Sequence, residues 1–213
     1  MTLDSLLILA EVAATLVFAI SGIIEAVRKK MDVVGIFAMA FITAFGGGTV
    51  RDLLLDRRPL FWVQNHEYVW LVLLLTLIAP PLIRVLRHRW VDWLLKGTDA
   101  FGLGLFSVTG ALLAQTAHMP LIVVLIIGVI TGVFGGVMRD VICGEIPLVF
   151  RNHQPYALCA FFGCLAYWLL HQTGAALWIQ LTAGAGITTL SCLFALIGDW
   201  RVPEWPKNRG DMP

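Results

Sequence analysis

The chain has 213 residues, 59% hydrophobic and 14% charged, with a mean hydropathy of +0.84, whereas a soluble domain carries about 25% charged residues and about 45–50% apolar ones. That balance excludes a water-soluble globule, a disordered chain and a disulfide scaffold. Fifteen Lys and Arg against fourteen Asp and Glu give +1, so no basic excess exists to hold nucleic acid. A hydrocarbon layer about 30 Å thick takes about 20 helical residues per crossing. The expected fold is therefore all-α, a polytopic membrane bundle of seven spans.

Apolar runs place these spans at 5–27, 33–55, 68–86, 98–117, 121–143, 156–170 and 175–197. No basic residue precedes the first run, and Arg28, Lys29 and Lys30 follow it. A cleaved signal peptide has the opposite charge order, so the run is kept as the first helix. Trp62, Trp70, Trp90, Trp93, Trp168, Trp178, Trp200 and Trp205 fall at or near the expected ends, where the ring favours the headgroup layer. The polar 198–213 segment reads as a loose tail. Cys143, Cys159, Cys164 and Cys192 have no metal or redox spacing and read as small buried hydrophobes. The scattered histidines complete no metal or nucleophile motif. Neither an enzyme nor a cofactor is implied.

With the N-terminus outside, twelve Lys and Arg fall on the cytoplasmic side and three, Arg51, Arg57 and Arg58, outside. The positive-inside rule then puts the C-terminal tail in the cytoplasm.

Sliding the chain on itself by 88 residues superposes Ile42-Thr43, Gly47-Gly48, Arg51-Asp52 and Pro59-Leu60 on Ile130-Thr131, Gly135-Gly136, Arg139-Asp140 and Pro147-Leu148, eight identities in 19 positions. Phe18/Phe106, Gly22/Gly110, Ala26/Ala114, Met31/Met119 and Tyr68/Tyr156 extend the register, which also sets Glu11 opposite Asp99 and Ser21 opposite Thr109. Three spans per copy, an odd number, force the second copy to cross in the opposite sense. The expectation is an inverted 3+3 repeat, at 5–88 and 93–172, with a seventh helix at 175–197. Such repeats are typical of transporters, with the site near the midplane between them.

The residues that could carry transport chemistry follow this register. Gly46, Gly47 and Gly48 in the second span, and Gly135 and Gly136 in the fifth, either break the helix to expose backbone groups to a permeant or simply let helices pack closely. Gly128, Gly132 and Gly136, mirrored by Ala40, Ala44 and Gly48, supply the small-residue stripe that packing alone requires. Arg51 and Arg139 lie about 18 residues into their spans, so they either snorkel to headgroups beside Asp52 and Asp140 or act as gate charges at the two mouths. Glu11, Glu25 and Asp99 are intramembrane acids, costly unless paired or hydrated. Glu11 is the favoured contact for a permeant, whereas Glu25 and Asp99 serve equally well in an ion pair, for example to the Arg of the other copy. Ser21, Thr43, Thr109 and Thr131 are candidate pore-lining hydroxyls.

The motifs E-A-V-R-K-K-M-D (25–32), T-A-F-G-G-G-T-V-R-D (43–52), P-L-F-W-V (59–63), D-A-F-G-L-G-L-F-S-V-T-G (99–110) and T-G-V-F-G-G-V-M-R-D (131–140) resemble the bacterial glycine-transporter-domain membrane proteins. That family is similar in architecture to the trimeric intracellular cation channels. The resemblance implies a multi-pass inner-membrane protein with seven helices in a 3+3+1 layout, forming a homo-oligomer, trimeric by the same likeness, that passes a small polar solute. Two functional readings follow. One is a transporter or channel for glycine or a similar small amino acid; the alternative is a monovalent-cation channel. A third reading, a scaffold whose glycines only pack helices, leaves a symmetric set of intramembrane charges without a purpose.

Overall fold

Local sequence sets where each helix begins and ends. The computed structural model of the chain describes residues 3–85, 88–150 and 155–198. These form α1 (Leu3–Arg28), α2 (Val33–Leu54), α3 (Phe61–Gln64), α4 (Glu67–Val85), α5 (His88–Thr116), α6 (Leu121–Ile142), α7 (Tyr156–Gln172) and α8 (Leu177–Ile197), with a 3₁₀ turn at Leu148–Phe150 and no strand among the described residues. Asp32 caps α2 by accepting from the Gly35 N–H at 2.7 Å, satisfying one of the free donors of a helix start. Past the tail's first residue, the expected 198–213 segment, with Trp200 and Trp205, lies outside the described residues.

The 88-residue register reappears in the turns. Lys30 ends α1 with a φ of 56°, and His118 ends α5 with the same value. The next residue in each case, Met31 or Met119, donates back to the Ala26 or Ala114 carbonyl, at 3.0 and 3.1 Å. Beyond α2 and α6 the left-handed positions are Asp56 and Gly144, and Arg57 and Glu145 donate back to the Asp52 and Asp140 carbonyls. Paired positions in sequence are thus paired in backbone conformation.

Four helices make the centre: α1 packs on α2, α5 on α6, α1 on α5, and α2 on α6, while α4 lies on the first pair, α7 on the second, and α8 on α5 and α7. Among the described residues five helices, α1, α2, α5, α6 and α8, are long and apolar enough to cross a membrane; the apolar stretches of α4, Glu67–Pro81, and of α7, Tyr156–Gln172, are shorter. Residues 88–97 of the expected connector at 87–97 are instead helical, since α5 begins at His88. Its sequence there offers Gly97 as the sole helix-weakening residue, too little to stop a helix. At about 1.5 Å per residue the 29 residues of α5 reach about 43 Å, so its first turns outreach the hydrocarbon layer. The short α3 is a further departure from the expected loop.

The glycines do not break α2 or α6; both are continuous α-helices through the doublets. The reason is contact. A Cβ on Gly47 would run into the Thr131 carbonyl oxygen of α6, and one on Gly135 into the Thr43 carbonyl oxygen of α2. A Cβ on Gly48 would strike the Phe61 ring, one on Gly46 would stand 3.0 Å from the Met138 sulfur, and one on Gly136 would meet only the Arg139 guanidinium, at 3.9 Å. The stripes work likewise: Gly128 and Gly132 meet Ser107 of α5, while Ala40 meets Gly22 of α1. Gly47→Ala and Gly135→Ala are therefore expected to force α2 from α6 and cost about 1–3 kcal/mol, read as a lower thermal midpoint of the purified protein. Gly136→Ala should leave that midpoint unchanged or raise it.

Candidate functional site

Two buried charge clusters occupy equivalent places in the two copies. In the first, Arg51 near the end of α2 donates from Nη1 to Glu11 Oε1 at 2.8 Å and from Nε to Asp52 Oδ1 at 2.9 Å. The other Asp52 oxygen accepts the Phe61 N–H at 2.8 Å, so the short α3 is held against the cluster, and the Arg51 guanidinium lies 5.3 Å from the Phe61 ring centroid. In the second, Arg139 near the end of α6 donates from Nη1 to Asp99 Oδ1 at 2.6 Å and from Nε to Asp140 Oδ1 at 2.9 Å. Asp140 Oδ2 accepts the Leu148 N–H at 2.9 Å. The Arg, the Asp that follows it and the facing-helix carboxylate correspond between the sets, while the backbone donor shifts by one position, Leu148 being the register partner of Leu60 rather than of Phe61.

Burial overturns the snorkelling reading: Arg51 is 0% exposed and Arg139 3%. Each guanidinium turns inward because two carboxylates on its own and a facing helix await it, and charge-assisted, forked bonds of this kind are the strong ones. Glu11, expected to meet a permeant, is spent on Arg51. Asp99 does form an ion pair, but with Arg139 of its own copy rather than the Arg of the other.

The hydroxyls split. Ser21 of α1 donates to Asp99 Oδ1 at 2.6 Å and accepts from Arg139 Nη1, so it crosses from the first copy into the second cluster. Its counterpart Thr109 donates instead to the Phe106 carbonyl at 3.1 Å. Thr43 and Thr131 are fully buried and turn their hydroxyls back onto Met39 and Ile127 of their own helices, at 2.7 and 2.6 Å. Their carbonyls, not their hydroxyls, carry the α2–α6 contact. Between the clusters Phe18 stacks on Phe106 with centroids 5.4 Å apart. Glu11 and Ser21, ten residues apart on α1, set the clusters about 15 Å apart along that helix.

One cluster opens to a chamber. A cavity of about 290 Å³ above Asp99 and Arg139 is lined by Glu25, Arg28, Asp92, Lys96, Asp140, Cys143 and Glu145 among others. Its five carboxylates outnumber its three cationic side chains, so the field there favours cations. Glu25, half-buried, has Arg28 at 3.6 Å as its ion-pair partner. Sequence reasoning missed this vestibule because its wall includes the turns of α5 taken for a connector. It also missed the Phe61 and Leu148 donors and the Phe18–Phe106 stack, although the Pro59-Leu60/Pro147-Leu148 and Phe18/Phe106 identities were the available signals. No group of three or more metal-ligating side chains occurs among the described residues.

Comparison with known proteins agrees with this duplicated geometry. A single family model, described as glycine transporter, matches twice, over residues 8–82 and 97–172. The chain belongs to that family. It is 38% identical over 206 residues to a UPF0126 membrane protein of Vibrio cholerae, covering 96% of this chain and 85% of the relative. It is 36% identical over 163 residues to the UPF0126 inner membrane protein YadS of Escherichia coli K12, covering 76% and 78%. Among solved structures it is similar to a trimeric intracellular cation (TRIC) channel orthologue from Rhodobacter sphaeroides, with a TM-score of 0.86 and 33% identity over 92% of this chain and 99% of the other. A second TRIC cation channel structure matches with a TM-score of 0.82 and 30% identity, covering 99% and 100%. The protein is thus a helical membrane protein of a transporter and channel family.

The charge clusters lend themselves to a double-variant test. Arg51→Met strands Glu11 and Asp52 and is expected to cost about 3–5 kcal/mol. Adding Glu11→Leu should recover much of the lost thermal stability, since Asp52 keeps the Phe61 N–H. Losses that simply add in the double variant would show the two side chains to be uncoupled.

Proposed function

We propose that each subunit is a channel for monovalent cations whose route runs between α1, α2, α5 and α6, closed in this state by the Glu11–Arg51 and Asp99–Arg139 pairs. The observation that carries the reading is the pair of corresponding Arg–carboxylate clusters with buried guanidinium groups, set apart along α1, one of them under a chamber with excess negative charge. The likeness to TRIC cation channels at 30–33% identity over nearly the whole chain supports it. Opening would exchange each guanidinium's buried partner for water or ion, with Asp52 and Asp140 keeping the Arg anchored.

The same proposal includes the membrane layout: seven spans, α1, α2, α4, α5, α6, α7 and α8, as inverted repeats over 5–88 and 93–172 with 175–197 appended. Support comes from the twice-matching family model and from the shared turns and clusters. The N-terminus would face the periplasm and the tail the cytoplasm of the inner membrane, following the twelve-to-three charge distribution. Trimers follow from the description of the Rhodobacter sphaeroides relative. A second reading, conduction of glycine or a similar small amino acid, draws on the description of the family. In that case the carboxylate of the solute would compete for Arg51 and Arg139, and its ammonium for Glu11 and Asp99.

Purified protein in proteoliposomes separates the readings. Potassium flux that labelled glycine neither competes with nor accompanies is the expected outcome. Glycine uptake without potassium conductance would reverse the ranking. For the layout, a reporter fluorescent only in the cytoplasm, fused after Pro213, is expected to give signal; a dark, fully expressed fusion would invert the topology.

A further inference from the structure

The vestibule's rim is tied shut by charge. At the end of α1 the consecutive residues Arg28 and Lys29 reach in different directions. Arg28 pairs with Asp92 on the early turns of α5, and Lys29 Nζ pairs with Glu145 in the turn after α6 at 2.7 Å. Arg28, Asp92 and Glu145 all line the chamber that leads to Asp99 and Arg139. The 88-residue register puts Thr116, Ala117, Asp4 and Arg57 at the equivalent positions, so the other copy lacks the residues for such ties.

We infer that Arg28 and Lys29 form a two-way electrostatic strap over the vestibule, and that releasing the strap admits solute to the Asp99–Arg139 pair from that side. Its gating consequence rests on the conduction reading, while the strap itself does not. Both ties are solvent-facing, with side chains between 25% and 52% exposed, and exposed pairs hold weakly. A weak, two-point closure suits a rim that opens and closes readily. It is also screened by salt. Glu145 holds the Lys29 ammonium above its ordinary pKa through their hydrogen bond, so the ammonium stays charged throughout the neutral range. Restricting the device to one end makes the two mouths unequal in a molecule whose two charge clusters are alike.

Cys143 supplies the probe. It lines the same cavity and is half-buried, whereas Cys159, Cys164 and Cys192 are buried. The experiment uses full-length protein in proteoliposomes and measures labelling by neutral methyl methanethiosulfonate, with Cys143→Ala giving the background. Variants are Lys29→Glu, Glu145→Lys and the double swap, each also assayed for potassium flux. Both single variants are expected to label about two- to fivefold faster than the parent, and the swap to return to the parental rate. Flux should rise and fall in step. The two single variants change the local charge in opposite directions, so a direct effect on the thiol would move their rates apart rather than together. Opposite shifts, unchanged rates in both, or a swap that fails to restore the parental rate would overturn the strap. Labelling that responds as expected in liposomes where the parent conducts, but with flux unaltered, would overturn its gating role. The same labelling with no potassium conductance in any variant, parent included, would leave the strap standing and remove the conduction reading instead.

Discussion

In hydrocarbon, apolar helices gain nothing by leaving lipid for one another, so association rests on close packing and on polar pairing. Both are concentrated on α2 and α6. The backbones of these helices come so near that a single methyl group at Gly47 or Gly135 would collide with a carbonyl oxygen of the other helix. That approach sets everything around it. α1 and α5 fit against the outer flanks through Gly22 and Gly110, which face Thr43 and Thr131, and the Phe18–Phe106 stack fills the remaining gap. With α2 and α6 so positioned, Arg51 and Arg139, each one turn from its helix end, are carried into the bundle rather than out to the headgroups.

A buried guanidinium is expensive, and its cost is offset only when every carboxylate around it is itself satisfied. Here the second oxygen of Asp52 and of Asp140 goes to a backbone N–H in the segment that follows, at Phe61 and Leu148. Those segments therefore belong to the electrostatics of the site as much as α2 and α6 do. The Pro-Leu pairs, Pro59-Leu60 and Pro147-Leu148, lie at these segments: Leu148 is itself the donor in one copy, and Phe61, the residue after Leu60, in the other. A molecule that only needed α2 and α6 to stay together would gain nothing by placing two arginines and four carboxylates in its interior, because small residues suffice for packing.

The repeat and the membrane class were readable directly, since Arg, Asp, Pro and paired Gly at a constant offset carry more information than Leu or Val in an apolar chain. The clusters were half readable. Arg51, Asp52, Arg139 and Asp140 stood out by identity, and Glu11 and Asp99 by similarity, but no rule of spacing joins residue 11 to residue 51 across two helices. That pairing is a product of the crossing. The glycine doublets show why local propensity misleads in a membrane: Gly weakens an isolated helix, yet inside a packed bundle the missing Cβ is what a neighbouring backbone requires, and the helix runs on. The helical start of α5 was hidden for a related reason. Charged residues between apolar runs read as a loop, although helical turns that project beyond the hydrocarbon tolerate charge freely.

Because the two copies carry matching Arg–carboxylate clusters, any unequal behaviour of the clusters has to come from positions where the copies differ. Several of these differences involve polar side chains of α1. Ser21 reaches the Asp99–Arg139 cluster while Thr109 turns to its own helix. Glu25 stands where the register places Leu113, and Asp140 opens on a charged chamber. Half of the way along α1, Thr15 is buried opposite the register position of Leu103, a hydroxyl facing an isobutyl group in otherwise matching faces. Glu25 and Thr15 make α1 more polar than the matching positions of α5. The chamber's carboxylates thus border a hydroxyl-bridged Arg–Asp pair, whereas the Glu11–Arg51 pair is closed over by α3. Duplication supplied the framework, and departures from it supply direction.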